Sequence, residues 1–252
     1  MIALRSSIGS VGTATWLIWR SIRAMARQLL AGDPLAERGL ADALGQFVWT
    51  PLPRLMALAG LVGIIAGVSA GKILALYNAE LLVVGALVDA MLRQILPLVV
   101  GVFASGSVSV EIASRLGAMS LAREIDALEA MGHDPVDHAL APPATAVIVA
   151  TPVHMVAAAL AALISAGLVL NLSANIPART LLDLVFSGAA SVALLTGVAK
   201  VLLFALIALG VGAAVGSRPV RSPGQIGRRA GQAFTAGLLG IFAAGATWAA
   251  LG

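Results

Sequence analysis

Apolar runs long enough to cross a hydrocarbon core of about 30 Å recur along almost the whole chain. Leu55–Tyr77, Leu81–Ala104, Thr145–Leu170, Leu181–Val215 and Phe234–Leu251 each read as a membrane span, the fourth with an extension beyond the bilayer. With 11% charged against 60% hydrophobic residues, the chain cannot cover a soluble body of its length with polar groups, so its solvent is largely lipid. The expected fold is an all-α integral membrane protein. It has an N-terminal interfacial amphipathic helix, about five transmembrane helices, and a short cytoplasmic helix between the second and third spans. Residues 1–53 form the interfacial segment and 54–252 the membrane domain.

In the first segment, Ser10–Leu30 gathers Ile18, Ile22, Met25, Ala26 and Leu29 on one side and Arg20, Arg23 and Arg27 on the other, with Trp16 and Trp19 at the border. That is the make-up of a helix lying in the headgroup plane. Residues 31–53 read as a mixed, polar connection. In the first span, Gly63, Gly67 and Gly71 stand four apart on one face, the spacing that lets membrane helices approach backbone to backbone. Gly67-Val-Ser-Ala-Gly71-Lys72 is no phosphate loop: it is one residue short, lacks the following Ser/Thr and lies inside an apolar run. Any ATP hydrolysis therefore has to come from another chain. There is no cysteine, and His133, His138 and His154 lack metal-ligand spacing, so no metal site is expected. No paired carboxylates or nucleophile–base arrangement lies within the spans, so no catalytic residue is assigned.

Arginine and lysine placement sets the expected topology. The N-terminal segment, the stretch between spans two and three, and the loop Ser217–Arg229 hold nearly all the non-membrane cations. Five spans put all three on the cytoplasmic side, with the N-terminus inside and the C-terminus outside. The net charge of +4 then reflects loops facing anionic lipid rather than nucleic-acid binding. Lys72, Asp89, Arg93 and Lys200 fall within apolar runs, where ionisable groups are costly and are paired or functional. Asp89 and Arg93 are spaced i, i+4 and can pair on one helix. Lys200 needs a partner from another helix, a cavity or a headgroup.

One polar island interrupts the apolar sequence, Glu111–Leu140. Within it, Leu121–Met131 reads as a short amphipathic helix. Leu121, Ile125 and Leu128 share one face; Arg123, Asp126 and Glu129 lie mostly off it, and Glu124 sits at its edge. Gly132 suits the left-handed turn that ends the helix, and Asp134-Pro135 stops its continuation. A short helix with a narrow apolar stripe, held between two spans, is suited to press on a partner at the bilayer surface.

Glu124-Ile-Asp-Ala-Leu-Glu-Ala-Met-Gly-His-Asp-Pro135 resembles the Q-I-D-A-L-x-x-M-G-x-D-P run of the MlaE/YrbE permease family. Met91-Leu-Arg-Gln-Ile-Leu-Pro97 resembles that family's L-L-R-E-L-G-P, Lys200 and Phe204 its K-x-x-x-F, and Pro223-Gly-Gln-Ile-Gly-Arg228 its G-x-G-R loop. The resemblance covers roughly Leu55 to Gly252. It implies the permease subunit of an ABC transporter in the bacterial inner membrane. Two copies would pair, binding ABC ATPase subunits and a periplasmic MCE-domain protein, to move phospholipid or another hydrophobic lipid. ATP and Mg would be bound by the ATPase and no cofactor by this chain. The island helix would couple to the ATPase through Leu121, Glu124, Ile125, Asp126, Leu128, Glu129 and Met131. Carried over by position, the lipid would meet Ile73, Leu74, Tyr77, Arg93 and Gln94. Two departures stand out. Gln94 replaces the family glutamate, and the family's G-R-x-G-S-x-x-x-A-E-x-G is replaced by a stretch in which Glu111 and Arg115, four residues apart, offer an exchanged ion pair. An ABC permease for a small metabolite and a non-transporting membrane scaffold are the alternatives.

Overall fold

The computed structural model describes residues 34–77, 80–132 and 138–251, together with Arg23. The Ser10–Leu30 amphipathic helix therefore lies outside the described residues, Arg23 apart. The described residues are 91% helical, and no strand occurs among them. Ten α-helices among the described residues build the fold: α1 (Pro34–Leu44), α2 (Leu52–Tyr77), α3 (Glu80–Ala90), α4 (Leu96–Ala104), α5 (Val110–Leu121), α6 (Glu124–Ala130), α7 (Ala141–Ala174), α8 (Ala178–Val185), α9 (Gly188–Gly216) and α10 (Pro223–Leu251). Wider π-turns join some of them: Gly45–Trp49 follows α1, Met91–Ile95 joins α3 to α4, and Ser105–Ser109 joins α4 to α5. Five helical stretches among the described residues are long and apolar enough to cross a membrane: Glu37–Leu74, Leu82–Leu121, Ala141–Ala174, Gly188–Gly216 and Pro223–Ala250.

The span count agrees with the sequence reading, and several boundaries differ. Residues 34–49, read as part of a polar connection, are helical, because the Glu37-Arg38 and Asp42 side chains stay exposed while Ala43, Phe47 and Val48 turn inward. The second span continues through the polar serines to Leu121. The fourth run divides at Phe186-Ser187 into α8 and α9, where Ser187 Oγ accepts from the Ala190 N–H as α9 begins. The last helix begins at Pro223, which suits a first helical turn, so the basic loop is confined to residues 217–222.

The chain forms two compact units, each assembled from segments of several helices. One comprises residues 51–100 and 151–202. Its core includes Ala70, Leu74, Val84, Leu170 and Ile176. Here α2 lies backbone to backbone on α7: a Cβ on Gly63 would stand 2.1 Å from the Ala162 carbonyl oxygen, and one on Gly67 2.9 Å from that of Ala166. Only small residues allow such an approach, and in lipid the dispersion contact it creates is a principal source of helix association. The α7–α8 turn places Asn175 at φ 53 and is braced by Asn171 Nδ2, which donates to the Ile176 carbonyl at 2.9 Å.

The other unit comprises the described residues up to Thr50, within 101–150 and from Leu203 onward. Its α5 lies between α9 and α10: a Cβ on Gly212 or Gly216 would meet the backbone of Ser109 or Ala113 at 2.9 Å. Ser105 and Ser109, both fully buried in the third π-turn, donate to the Phe234 and Ala208 carbonyls at 2.9 Å. Large apolar side chains such as Leu61, Ile65, Leu76, Ile164 and Leu195 are exposed on the spans, as a lipid solvent permits.

Candidate functional site

Two groups of residues carry polar chemistry, one in each unit. The first lies in the unit containing Met91–Ile95. Arg93 and Gln94 both belong to that π-turn, a widened helical turn of the kind that re-aims side chains at functional sites. Arg93 Nε donates to Asp89 Oδ1 at 2.6 Å, one turn earlier. Gln94 is exposed, and its Oε1 accepts from Lys200 Nζ at 2.5 Å. Lys200 is 1% exposed and is among the largest fully buried side chains of the described residues. Gly197, one turn before it, makes room for this packing, since a Cβ there would lie 2.5 Å from the Leu92 carbonyl.

The residues placed by resemblance on the first span fall differently. Ile73 is exposed, whereas Leu74 is buried in the unit's core and packs protein rather than offering an open wall. The side chain of Tyr77 lies outside the description, and Lys72 is exposed. Phe204, paired with Lys200 in the sequence motif, is fully buried in the other unit beside Gly101, which lacks the Cβ that would strike its ring.

The second group surrounds the island helix. The helix runs Glu124–Ala130, shorter than the expected Leu121–Met131. Leu121 ends α5, and Met131 caps the short helix. The break is made by Arg123 at φ 57, a left-handed conformation that costs a non-glycine residue roughly 1–2 kcal/mol. The Ala122 N–H closes onto Ala118 O and the Arg123 N–H onto Ser120 O, so α5 is finished before α6 turns away. Gly132, at φ 77, ends α6 as the sequence predicts. Ile125 and Leu128 are half-buried, while Glu124, Asp126 and Glu129 are exposed and Met131 is 64% exposed. Leu128, Ala127 and Met131 join Met119 and Arg115 in lining an open cavity of ≈ 530 Å³.

This knob has a braced base, which the sequence reading missed. The Val220 N–H donates to Ser120 Oγ at 3.3 Å, and Val220 is buried beside Gly117. Arg229 donates to the carbonyls of Val215, Arg218 and Pro219, tying the end of α9 to the start of α10. A cation at a helix C-terminus satisfies carbonyls that lack intrahelical partners. Glu111 accepts from Gln46 Nε2 at 2.7 Å, and among the described residues no ion pair joins it to Arg115. Among the described residues no group of three or more His, Asp or Glu side chains is placed to hold a metal.

A family model described as Permease MlaE matches residues 40–251. No curated protein matches the chain.

Proposed function

Since the chain belongs to the MlaE permease family and is a multi-pass membrane permease rather than an enzyme, we propose that it transports phospholipid or another hydrophobic lipid between the inner membrane and a periplasmic MCE carrier. ATP is hydrolysed, with Mg, by a separate ATPase subunit. Two copies of the chain form the permease. The N-terminus and the Glu124–Ala130 knob face the cytoplasm and the C-terminus faces the periplasm.

The observation that carries this reading is the polar set Asp89, Arg93, Gln94 and Lys200 inside helices otherwise built for lipid. A lipid site needs apolar walls for acyl chains and a few polar groups for the head. Exposed Ile73 suits the first role, Arg93 and Gln94 the second, with Tyr77 assigned to the interface by position. Leu74 supports that wall from behind. The acidic, half-apolar knob supplies the other requirement, a surface through which a partner's movement reaches the spans. Leu128 and Ile125 form its apolar part, Glu124, Asp126, Glu129 and Met131 its exposed rim, and Leu121 its root.

The test is reconstitution of the chain with its ATPase partner in liposomes carrying fluorescent phospholipid. ATP-dependent movement of the label, and phospholipid bound to the purified complex, are the expected results. Hydrolysis with no lipid bound or moved overturns the reading.

A further inference from the structure

We propose that Gln94 and Lys200 select lipids with a net anionic headgroup, and that Gln94 Nε2 is the donor that reads them. The proposal rests on the transport reading above and adds a specificity to it. A lysine ammonium has donors and no acceptor. With Lys200 Nζ donating to Gln94 Oε1 at 2.5 Å, the amide has to turn its oxygen toward Lys200 and its NH2 group away. Gln94 is exposed while Lys200 is 1% exposed, so the outward face of the pair is an N–H donor. A glutamate at this position would instead present oxygen lone pairs, which welcome an ammonium.

Charge points the same way. The Asp89 carboxylate is committed to Arg93 at 2.6 Å, which leaves the Lys200 cation balanced only by a neutral amide. Among these four residues one positive charge is uncompensated. A cation held among apolar helices is costly without a counter-charge. A phosphate whose headgroup carries no ammonium supplies that charge and only acceptors, matching the donor that Gln94 turns outward. A zwitterionic headgroup brings its own cation and finds no free carboxylate here.

The experiment uses the intact complex equilibrated with vesicles of equal phosphatidylglycerol and phosphatidylethanolamine, with bound lipid read by mass spectrometry. The wild type is expected to favour phosphatidylglycerol by about tenfold, because both headgroups offer a phosphate to Gln94 and only the anionic one brings a net counter-charge. Gln94→Glu is expected to remove that bias. Lys200→Gln, checked for folding by thermal unfolding, removes it as well. Excess soluble glycerol phosphate leaves the bound lipid in place when the anion arrives on a lipid; displacement by it overturns the lipid source. Equal ratios in the wild type and Gln94→Glu overturn the selectivity and leave transport standing. Absence of lipid from every form overturns the transport reading as well.

Discussion

The Gln46 side-chain amide donates to Glu111 Oε1 at 2.7 Å, joining residues 65 positions apart. Glu111 opens α5 and Gln46 belongs to the π-turn after α1, so the bond links the first and second spans within one unit. A neutral donor thus meets the carboxylate that sequence spacing pairs with Arg115. The two arrangements separate in double-mutant cycles. Gln46→Ala with Glu111→Ala is expected to show a coupling of about 0.5–1.5 kcal/mol in thermal unfolding. Glu111→Ala with Arg115→Ala is expected to be additive within about 0.5 kcal/mol. The reverse ranking would return Glu111 to the ion pair.

The three glycines of α2 differ in what a methyl group would strike. Gly63 and Gly67 face the Ala162 and Ala166 backbone at 2.1 and 2.9 Å, whereas Gly71 faces the Ser173 hydroxyl at 3.2 Å. Backbone cannot swing aside and a serine side chain can. Alanine substitutions are therefore expected to lower the melting temperature in the order Gly63, Gly67, Gly71. The first should cost more than the roughly 1–3 kcal/mol usual for overpacking. Equal effects at all three would mean that these helices separate freely.

Gly237 sits where a Cβ would stand 2.7 Å from Ser105 Oγ and 2.8 Å from Ser109 Oγ. Gly237→Ala is expected to destabilise the protein by about 1–3 kcal/mol. Removing both hydroxyls with Ser105→Ala and Ser109→Ala loses two interhelical bonds, each worth about 0.6 kcal/mol in membrane proteins. It also opens space for the new methyl group. The triple variant should then be more stable than the sum of its parts, a positive interaction measurable by denaturation in detergent. Strict additivity would place the approach of the third π-turn to α10 elsewhere.

The membrane body was legible because hydropathy records a run of apolar residues directly, and the Asp89–Arg93 spacing suggested the bond that the structure contains. The π-turns left no trace in that pattern, since one extra residue per turn barely disturbs a stretch that is apolar on every side. Yet they set the surroundings of Gln94, Ser105 and Ser109. Helix α8 was hidden for a related reason: Leu181–Val185 reads as the start of the next span, and only the turn at Phe186-Ser187 separates them. Lys200's partner was unreadable because it lies 106 residues away. The island helix was placed correctly in the chain but drawn too long, because amphipathic spacing carried Leu121 into it and nothing local marks Arg123 as left-handed.

That left-handed residue allows the coupling role proposed for the knob to be tested apart from its folding. Arg123→Gly removes the steric penalty at φ 57 and keeps the turn, so near-normal coupling of ATP hydrolysis to lipid movement is expected. Arg123→Val, whose branched side chain resists that conformation, should cost roughly 1–2 kcal/mol and loosen the knob. Leu128→Asp places a charge on the half-buried side of the knob beside Met119 and Met131, while Glu124→Lys with Asp126→Lys reverses the exposed acidic edge. Both changes act on a seven-residue helix whose base is held separately by Ser120 and Arg229. The spans should therefore still fold, with an unchanged melting transition, while ATPase activity persists without lipid movement or the ATPase dissociates. Normal ATP-driven transport in those two variants, with the complex intact, would show that force enters the permease somewhere other than Glu124–Ala130.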